Sequence, residues 1–485
     1  MNNDASIPKS VLVLDIGRTH KKALVFDAQY SLLEQHSCRL EDTADEDGDP
    51  CEDLAALECW VRDNLEQILK RTDLQVEAIN ISAHGAALVH LDKDGRPLTP
   101  LYDYMKPLEG DFLQRFYRKF GGRDAFSVQT GSPALGMLNS GLQLYWLRQA
   151  RPECFARLHR SLHLPQYIHF LLSGILRSDI SSVGCHTGMW NFAGRRYHSW
   201  LQEEGLLKFL PEPEPYQTCC TAVLQGRERS VGIGMHDSSA ALLPYVLTAR
   251  EPFLLLSTGT WNIALHPFFR GSLQDEDLAR DCLYFLLEKH TPVAASRLFL
   301  GQEYQYQIQR LEAYFRKAPG SHRQLKPDAG LLERLRKESC ERNLFYPQTM
   351  QGTGPFPRLT GPEPDLGLLE NFETAYHKMM LDLCYLQKRS VELLSYRSPL
   401  RQLYVSGGFV QKETFLALLQ AYLPEWKIYR AGHKMDSALG AALAIHSCWQ
   451  SRPISGNLVQ VQPYISPLSL DLSRHHPYQH LSQTL

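Results

Sequence analysis

No apolar run in the 485-residue chain approaches the length of a membrane-spanning helix, and the opening MNNDASIPKS lacks the basic and apolar regions of a secretory signal. Residence in the cytoplasm, with no membrane partner, is therefore expected. An excess of either charge is missing too. Lysine and arginine number 51 against 53 acidic residues, a formal net charge of -2, and no basic run occurs, which leaves no electrostatic case for nucleic acid as a partner. The eleven cysteines form no CxxC pair and repeat no Cys/His spacing, so Cys219-Cys220 and Cys185-His186 read as packed thiols rather than metal ligands. What is left is an ordinary globular composition, 44% apolar and 21% charged, at a length that favours two or three domains over a single core. Small-molecule chemistry is the expectation.

The most informative stretch runs from Gly232 to Asn262. It opens on His236-Asp237 in a glycine-flanked turn, continues through a short apolar segment, and ends in an apolar strand, Phe253 to Leu256, that stops on Ser257-Thr258-Gly259-Thr260. Phosphoryl transfer needs one group to accept a proton from the attacking hydroxyl. It also needs backbone N–H and hydroxyl donors to hold the charge on the moving phosphoryl group. Asp237 and the following turn supply both kinds. An aspartate ahead of Ser-Ser-Ala-Ala-Leu-Leu is also a good helix N-cap.

The start of the chain has a similar outline. Val11 to Leu14 is a short apolar run, followed by Asp15-Ile16-Gly17-Arg18-Thr19 and a second run from Ala23 to Phe26, which reads as two strands joined by a tight turn. In that turn Gly17 would let the backbone approach a phosphate, Thr19 offers a hydroxyl, Lys21 or Lys22 a cation, and Asp15 could hold a metal-bound water. A plain surface hairpin would favour the same Asp and Gly. The acidic segment Glu41 to Asp53 contains a glycine, but placing Gly48 at the sixth position of a calcium loop puts Thr43 first and Leu54 twelfth, which breaks the ligand pattern. A solvated loop is expected there. A strand from Glu77 to Ile81 ends on Ser82-Ala83-His84-Gly85, where open α/β sheets bind ligands, although a histidine satisfied within a tight turn would look the same. Tyr102 and Asp103 fall in an irregular segment whose polar side chains could face a substrate.

The strand–turn–strand outline of Val11 to Phe26 returns from Phe253 to Leu265. Likewise Leu403-Tyr404-Val405 running into Ser406-Gly407-Gly408 echoes Ile79-Asn80-Ile81 running into Ser82-Ala83-His84-Gly85. A duplicated unit of this kind implies two similar α/β domains facing one cleft. The small-residue run Ala438 to Ala444 reads as a helix packed on the sheet of the second domain.

Taken in order, DIGRT with KK close behind, SAHGAALVHLDKDG, LPQYIHFLLSG with SD following, GIGMHDSSAA, LSTGTWN and VSGG resemble the FGGY family of carbohydrate kinases, part of the actin, heat-shock ATPase and hexokinase superfamily. The similarity extends from about Val11 to Ala444. The resemblance implies two actin-like (ribonuclease H-like) α/β domains around a central cleft, residues 1–243 on the sugar side and 244–485 on the nucleotide side, closing over ATP, Mg2+ and a sugar. It makes Asp237 the catalytic base. Asp15, Gly17 and Thr19 would form the first phosphate loop, to which the reading of the turn itself adds Lys21 as a cation and Asp15 as the metal ligand. Gly259 and Thr260 would form the second, and Gly407 and Gly408 would lie against the adenosine. His84, Tyr102, Asp103 and His236, beside Asp237 itself, are the candidates for the sugar side. The implied reaction transfers the γ-phosphoryl group of ATP to a hydroxyl of a ketose such as L-fuculose or L-rhamnulose. The alternatives are a kinase for another pentulose or polyol, a non-catalytic sugar or nucleotide sensor, and an actin-like ATPase; a homodimer is the self-association considered. Four positions depart from the family pattern: Arg18 after the first-loop glycine, a position that varies in the rhamnulose and fuculose branch, Ala87 where that branch often carries aspartate, and Phe409 and Lys412 near the adenine.

Overall fold

Valine, leucine and isoleucine fill the first strand, Lys9–Ile16, because helices cover both of its faces. One face carries Leu12, Leu14 and Ile16 into a core with Leu57, Val61 and Ile68 of the helix Leu54–Leu69. The other turns Val11 and Val13 toward Ala438, Ala441 and Ala442 of the helix Asp436–Ala444. Asp53 starts the earlier helix by accepting the Ala56 N–H at 2.9 Å. The computed structural model describes residues 7–338, 341–396, 398–432 and 435–479. It separates into two units: the chain up to Thr248 with Tyr284–Pro292 and Met435–Leu458, and the remainder.

The first strand belongs to a seven-stranded sheet ordered Cys219–Leu224, Arg227–Gly232, Gln75–Ala83, Lys9–Ile16, Lys21–Asp27, Leu32–Cys38, with Met235–His236 paired to Gln75–Ala83 off that path. It runs antiparallel to Lys21–Asp27 and parallel to Gln75–Ala83. A second seven-stranded sheet is ordered Cys282–Glu288, Thr291–Leu298, Asn262–His266, Leu254–Thr258, Gln402–Gly407, Lys427–Ala431, Val461–Pro463. There Leu254–Thr258 is antiparallel to Asn262–His266 and parallel to Gln402–Gly407. The repetition read from the sequence is thus a repetition of topology. Residues inserted between the first-sheet strands Gln75–Ala83 and Cys219–Leu224 build most of a separate, aromatic-rich core that includes Phe116, Tyr145, Trp190 and Trp200.

In the fold itself the structure differs from the sequence reading in three places. The acidic segment is not a solvated loop: Asp42–Ala44 pairs with Pro50–Glu52, which pairs in turn with Leu101–Tyr102. Its charge is compensated internally, with Lys106 Nζ 2.6, 2.9 and 2.5 Å from carboxylate oxygens of Asp45, Asp47 and Asp49. The helix Asp436–Ala444 packs on the first sheet rather than the second, and against the helix Asp237–Thr248. Small residues allow this: a Cβ on Gly440 would lie 1.8 Å from the Ala240 carbonyl oxygen. Cys219 is not a packed thiol but is disulfide-bonded to Cys448, which the turn after that helix brings to the sheet edge. Among the described residues no helix is long and apolar enough to cross a membrane.

Candidate active site

Three parallel strands of the first unit end at one level. Asp15 and Met235 both pair with Ser82, and Ile16 and His236 both pair with Ala83. The next residues, His84 and Asp237, therefore emerge close to Asp15 at the carboxyl edge of the sheet, where α/β proteins bind ligands. The His84 N–H donates to the Ile16 carbonyl at 3.0 Å, and the helix Asp237–Thr248 begins on the other side. Ser181 steadies the approach: its Oγ accepts the His236 N–H at 3.0 Å and donates to Asp179. Gly85 leaves the space these side chains need, since a Cβ there would stand 2.9 Å from His236 Nε2 and 3.1 Å from His186 Nε2.

The Asp237 carboxylate lies 3.3 Å from His236 Nε2 and accepts from Ser238 Oγ at 3.2 Å. Burial raises its pKa and the nearby charge of His84 opposes the rise; with 32% of the side chain exposed, solvent tempers both. His236 is held neutral, pushed down to about 3 by burial and then by the charge of His84. Its Nδ1 is buried without a hydrogen-bond partner among the described residues, so it is a polar group available to a ligand. Asp15 accepts from Ser437 Oγ at 2.9 Å. Burial raises its pKa, Lys22 and Ser437 counter the rise, and the charge of Asp237 adds to it. Two oxygen-donor side chains with incompletely compensated charge suit a hard divalent cation, so Asp15 fits the metal-ligand role expected of it from the turn.

His84 Nε2 is 2.7 Å from Glu52 Oε1, and Glu52 Oε2 is 2.6 Å from Lys21 Nζ. Burial works to raise the Glu52 pKa, but His84 and Lys21 outweigh it and hold the carboxyl down at about 2. For His84, burial works to lower the pKa, and Glu52 with a contribution from Asp237 reverses that into a net rise. Lys21 is thus corrected as a phosphate-loop residue: it is buried, bound to Glu52, and donates to the Arg18 carbonyl at 3.0 Å. Strand alternation is the reason, because Lys22, not Lys21, pairs with Asp15 and shares its face.

The other first-unit candidates are also placed. Gly17 donates its N–H to the His20 carbonyl at 3.0 Å in a tight turn, and Thr19 is exposed at its tip. Asp103 accepts from Arg18 at 2.7 and 3.1 Å, while the same guanidinium grips Asp42 at 2.8 and 2.9 Å. Tyr102 differs from its expected sugar-facing role. It is buried, its hydroxyl donates to Glu46, and its ring packs edge-on against Trp146 at 5.1 Å. The donor atoms of Cys185, His186 and His236 lie within 4.8 Å of one another, but burial raises the Cys185 thiol pKa and so favours the neutral, packed form.

In the second unit, Thr258 pairs with Gly407 across two parallel strands, which brings the Gly259-Thr260 and Gly407-Gly408 turns together. The Thr258 hydroxyl donates to the Ser406 carbonyl and accepts the Phe409 N–H at 3.0 Å. Gly407 has φ 85° and ψ -156°, a conformation reserved for glycine, and a Cβ there would sit 1.9 Å from the Thr258 carbonyl oxygen. Gly259, Thr260, Gly407 and Gly408 are all exposed, so both turns present backbone and hydroxyl groups to solvent. Sequence reasoning missed Gly301, whose Cβ would meet the Gly259 carbonyl oxygen at 1.8 Å. It also missed Glu52 and Ser437. The acid-rich run offered no means of choosing Glu52, and Ser437 reaches Asp15 only through tertiary folding.

Residues 10–205 match the sequence profile of the FGGY family of carbohydrate kinases, N-terminal domain, and residues 250–453 that of carbohydrate kinase FGGY, C-terminal domain. A rhamnulokinase of Yersinia pestis (strain Pestoides F) is 24% identical over 268 residues, covering 52% of this chain and 53% of the relative. The L-fuculokinase of Escherichia coli (strain K12) is 24% identical over 278 residues, covering 53% and 56%. These matches span about half the length of the curated relatives. A carbohydrate kinase from Novosphingobium aromaticivorans superposes with a TM-score of 0.79 at 24% identity, covering 98% of this chain and 99% of that one. A ligand-bound xylulose kinase from Lactobacillus acidophilus gives 0.77 at 15% identity, with 94% of each chain covered. The likeness establishes the two-domain actin-like, ribonuclease H-like α/β fold.

Proposed function

Since the chain belongs to the FGGY family of carbohydrate kinases, we propose that it transfers the γ-phosphoryl group of ATP to a hydroxyl of a ketose such as L-fuculose or L-rhamnulose, in the cytoplasm. The carrying observation is the Asp237 carboxylate at the start of a helix, beside His236 and electrostatically coupled to His84 and Asp15 at the ends of adjacent strands. In this reading Asp237 accepts the proton of the attacking sugar hydroxyl while the new O–P bond forms and the bond to the bridging oxygen of ATP breaks. Little basicity is needed in a loose transition state, so orientation of the hydroxyl is the larger part of the task. His236 Nδ1 supplies a polar partner for the sugar, with the charged His84 ring beside it. We assign the sugar to the first unit. The Gly259-Thr260 and Gly407-Gly408 turns of the second are assigned to the nucleotide, their backbone N–H groups suited to phosphate and to close approach by adenosine. Magnesium, when bound with ATP, neutralises charge on the transferring group, and Asp15 is the residue that would hold it, directly or through water. Gly17 and Thr19 would complete the first phosphate turn.

The test couples ADP release to a panel of ketoses and polyols, with Asp237→Asn as the control. One ketose should stimulate turnover strongly, and the variant should lose about 10³-fold in kcat. Sugar-stimulated turnover of normal size by the variant would remove Asp237 from its role. Tight sugar binding with no turnover on any substrate would instead favour a sensor.

A further inference from the structure

We infer that Glu52 is a positioning residue for phosphoryl transfer, holding His84 as an imidazolium against the catalytic carboxylate of Asp237; this rests on the kinase reading above. The geometry is an alternating relay of charge. Lys21 Nζ lies 2.6 Å from one Glu52 oxygen and His84 Nε2 lies 2.7 Å from the other. The His84 ring is fixed again by its Nδ1, which sits 3.1 Å from the Gly85 carbonyl oxygen and donates to it. Nδ1 must carry a proton to donate to a carbonyl, and a bare Nε2 lone pair 2.7 Å from a carboxylate oxygen would be repelled; the Glu52 contact is an ion pair without an aligned hydrogen bond, so charge holds the ring doubly protonated. Glu52 does not touch Asp237. It is itself fixed by strand pairing, with Glu52 opposite Leu101 and Cys51 opposite Tyr102.

Every neighbouring element contributes a charge or a titratable group. The first hairpin sends Lys21 and Arg18 toward Glu52. The segment after Tyr102 places the Tyr104 ring 6.4 Å from that of His84. The strand Met235–His236 contributes neutral His236, and the following helix contributes Asp237. Asp15 adds a second negative charge near Asp237. A fixed positive charge among these groups has a specific use. Asp237 must stay ionised beside Asp15 while an anionic nucleotide approaches, and without His84 the nearest titratable ring, His236, is neutral. Loss of the Glu52 charge would let His84 deprotonate at lower pH and would raise the pKa of Asp237, drawing both limbs of the pH–rate profile inward.

The test compares kcat and sugar KM across pH for the wild type, Glu52→Gln and Glu52→Asp. The alkaline limb of Glu52→Gln should move toward acid by about one pH unit or more, with kcat at the wild-type optimum falling more than sugar KM rises. Glu52→Asp should recover part of the shift. A folded Glu52→Gln protein with an unmoved profile overturns the inference. Should that variant fail to fold, a histidine-labelled NMR titration of the wild type decides: His84, assigned with a His84→Gln sample, should titrate above the ordinary histidine value near ~6.5, and titration at or below it overturns the inference. An active Asp237→Asn enzyme overturns the kinase role of Asp237 itself. An inactive one beside an unmoved Glu52→Gln profile overturns only the role given to Glu52.

Discussion

The two sheets place a turn at the same point of the same topology, after a strand with an antiparallel neighbour on one side and a parallel neighbour on the other. Their chemistry is opposite. The turn of the first unit is surrounded by paired charge: Arg18 between Asp42 and Asp103, Lys21 on Glu52, and Glu52 on His84. The turn of the second carries no charged side chain from Ser257 to Thr260, and its neighbour is a pair of glycines. Under the proposed function one scaffold serves two tasks. Charge in fixed positions suits a neutral sugar that must give up a proton, whereas bare backbone suits a ligand that brings its own charge. The first design is vulnerable to a lost charge and the second to an added carbon.

The comparison can be broken most sharply at Gly407. Gly407→Ala adds a Cβ that would lie 1.9 Å from the Thr258 carbonyl oxygen, in a glycine-only backbone conformation. It should cost about 3 kcal/mol in denaturant unfolding and weaken ATP binding. The neighbouring Gly408 has open space around it and no positive φ, so Gly408→Ala should stay within about 0.5 kcal/mol of the parent. Equal losses at the two positions would contradict the geometry. On the charged side, Arg18→Ala removes part-exposed pairs and should cost at most about 1 kcal/mol, diminishing in high salt. A loss that ignores ionic strength would mean the pairing is not the source.

The smallest expected effect has the opposite sign. The folded-state pKa of Asp237 is raised chiefly by burial, so ionisation costs the folded protein more than the unfolded chain. That cost is present above the folded pKa and disappears as pH falls below the unfolded value. Asp237→Asn should therefore unfold at a slightly higher temperature than the parent at neutral pH, with the gap closing toward acid. Lower stability at neutral pH would count against a strained carboxylate.

What could be read from the amino-acid order depended on range. Asp237 stood out for the glycine-flanked turn that starts at Gly232; Asp15 and His84 stood out as candidates because each follows an apolar run within three residues, and local chain direction carries the strand end to the sheet edge. The repeat was legible for the same reason. Lys21 and Lys22 are adjacent, and only the pairing register decides which shares the face of Asp15. Tyr102 was read as loop chemistry, whereas pairing with Cys51 and contact with Trp146 turn it inward. Glu52 sits in a run so rich in carboxylates that only its pairing with the strand Leu101–Tyr102 distinguishes it. The destination of the helix Asp436–Ala444 is likewise a tertiary fact. A run of small residues declares that something will approach closely without saying what.

That helix has a consequence for the order in which the protein is made. Ser437 supplies a hydroxyl to Asp15, and its helix covers one face of a sheet whose other strands are synthesised far earlier. A nascent chain that has emerged only as far as Thr248 would carry an uncovered apolar sheet and an unfinished pocket around Asp15. Competence therefore waits until Asp436–Ala444 has been synthesised, and chains terminated before that helix should be substrates for chaperones rather than partial enzymes.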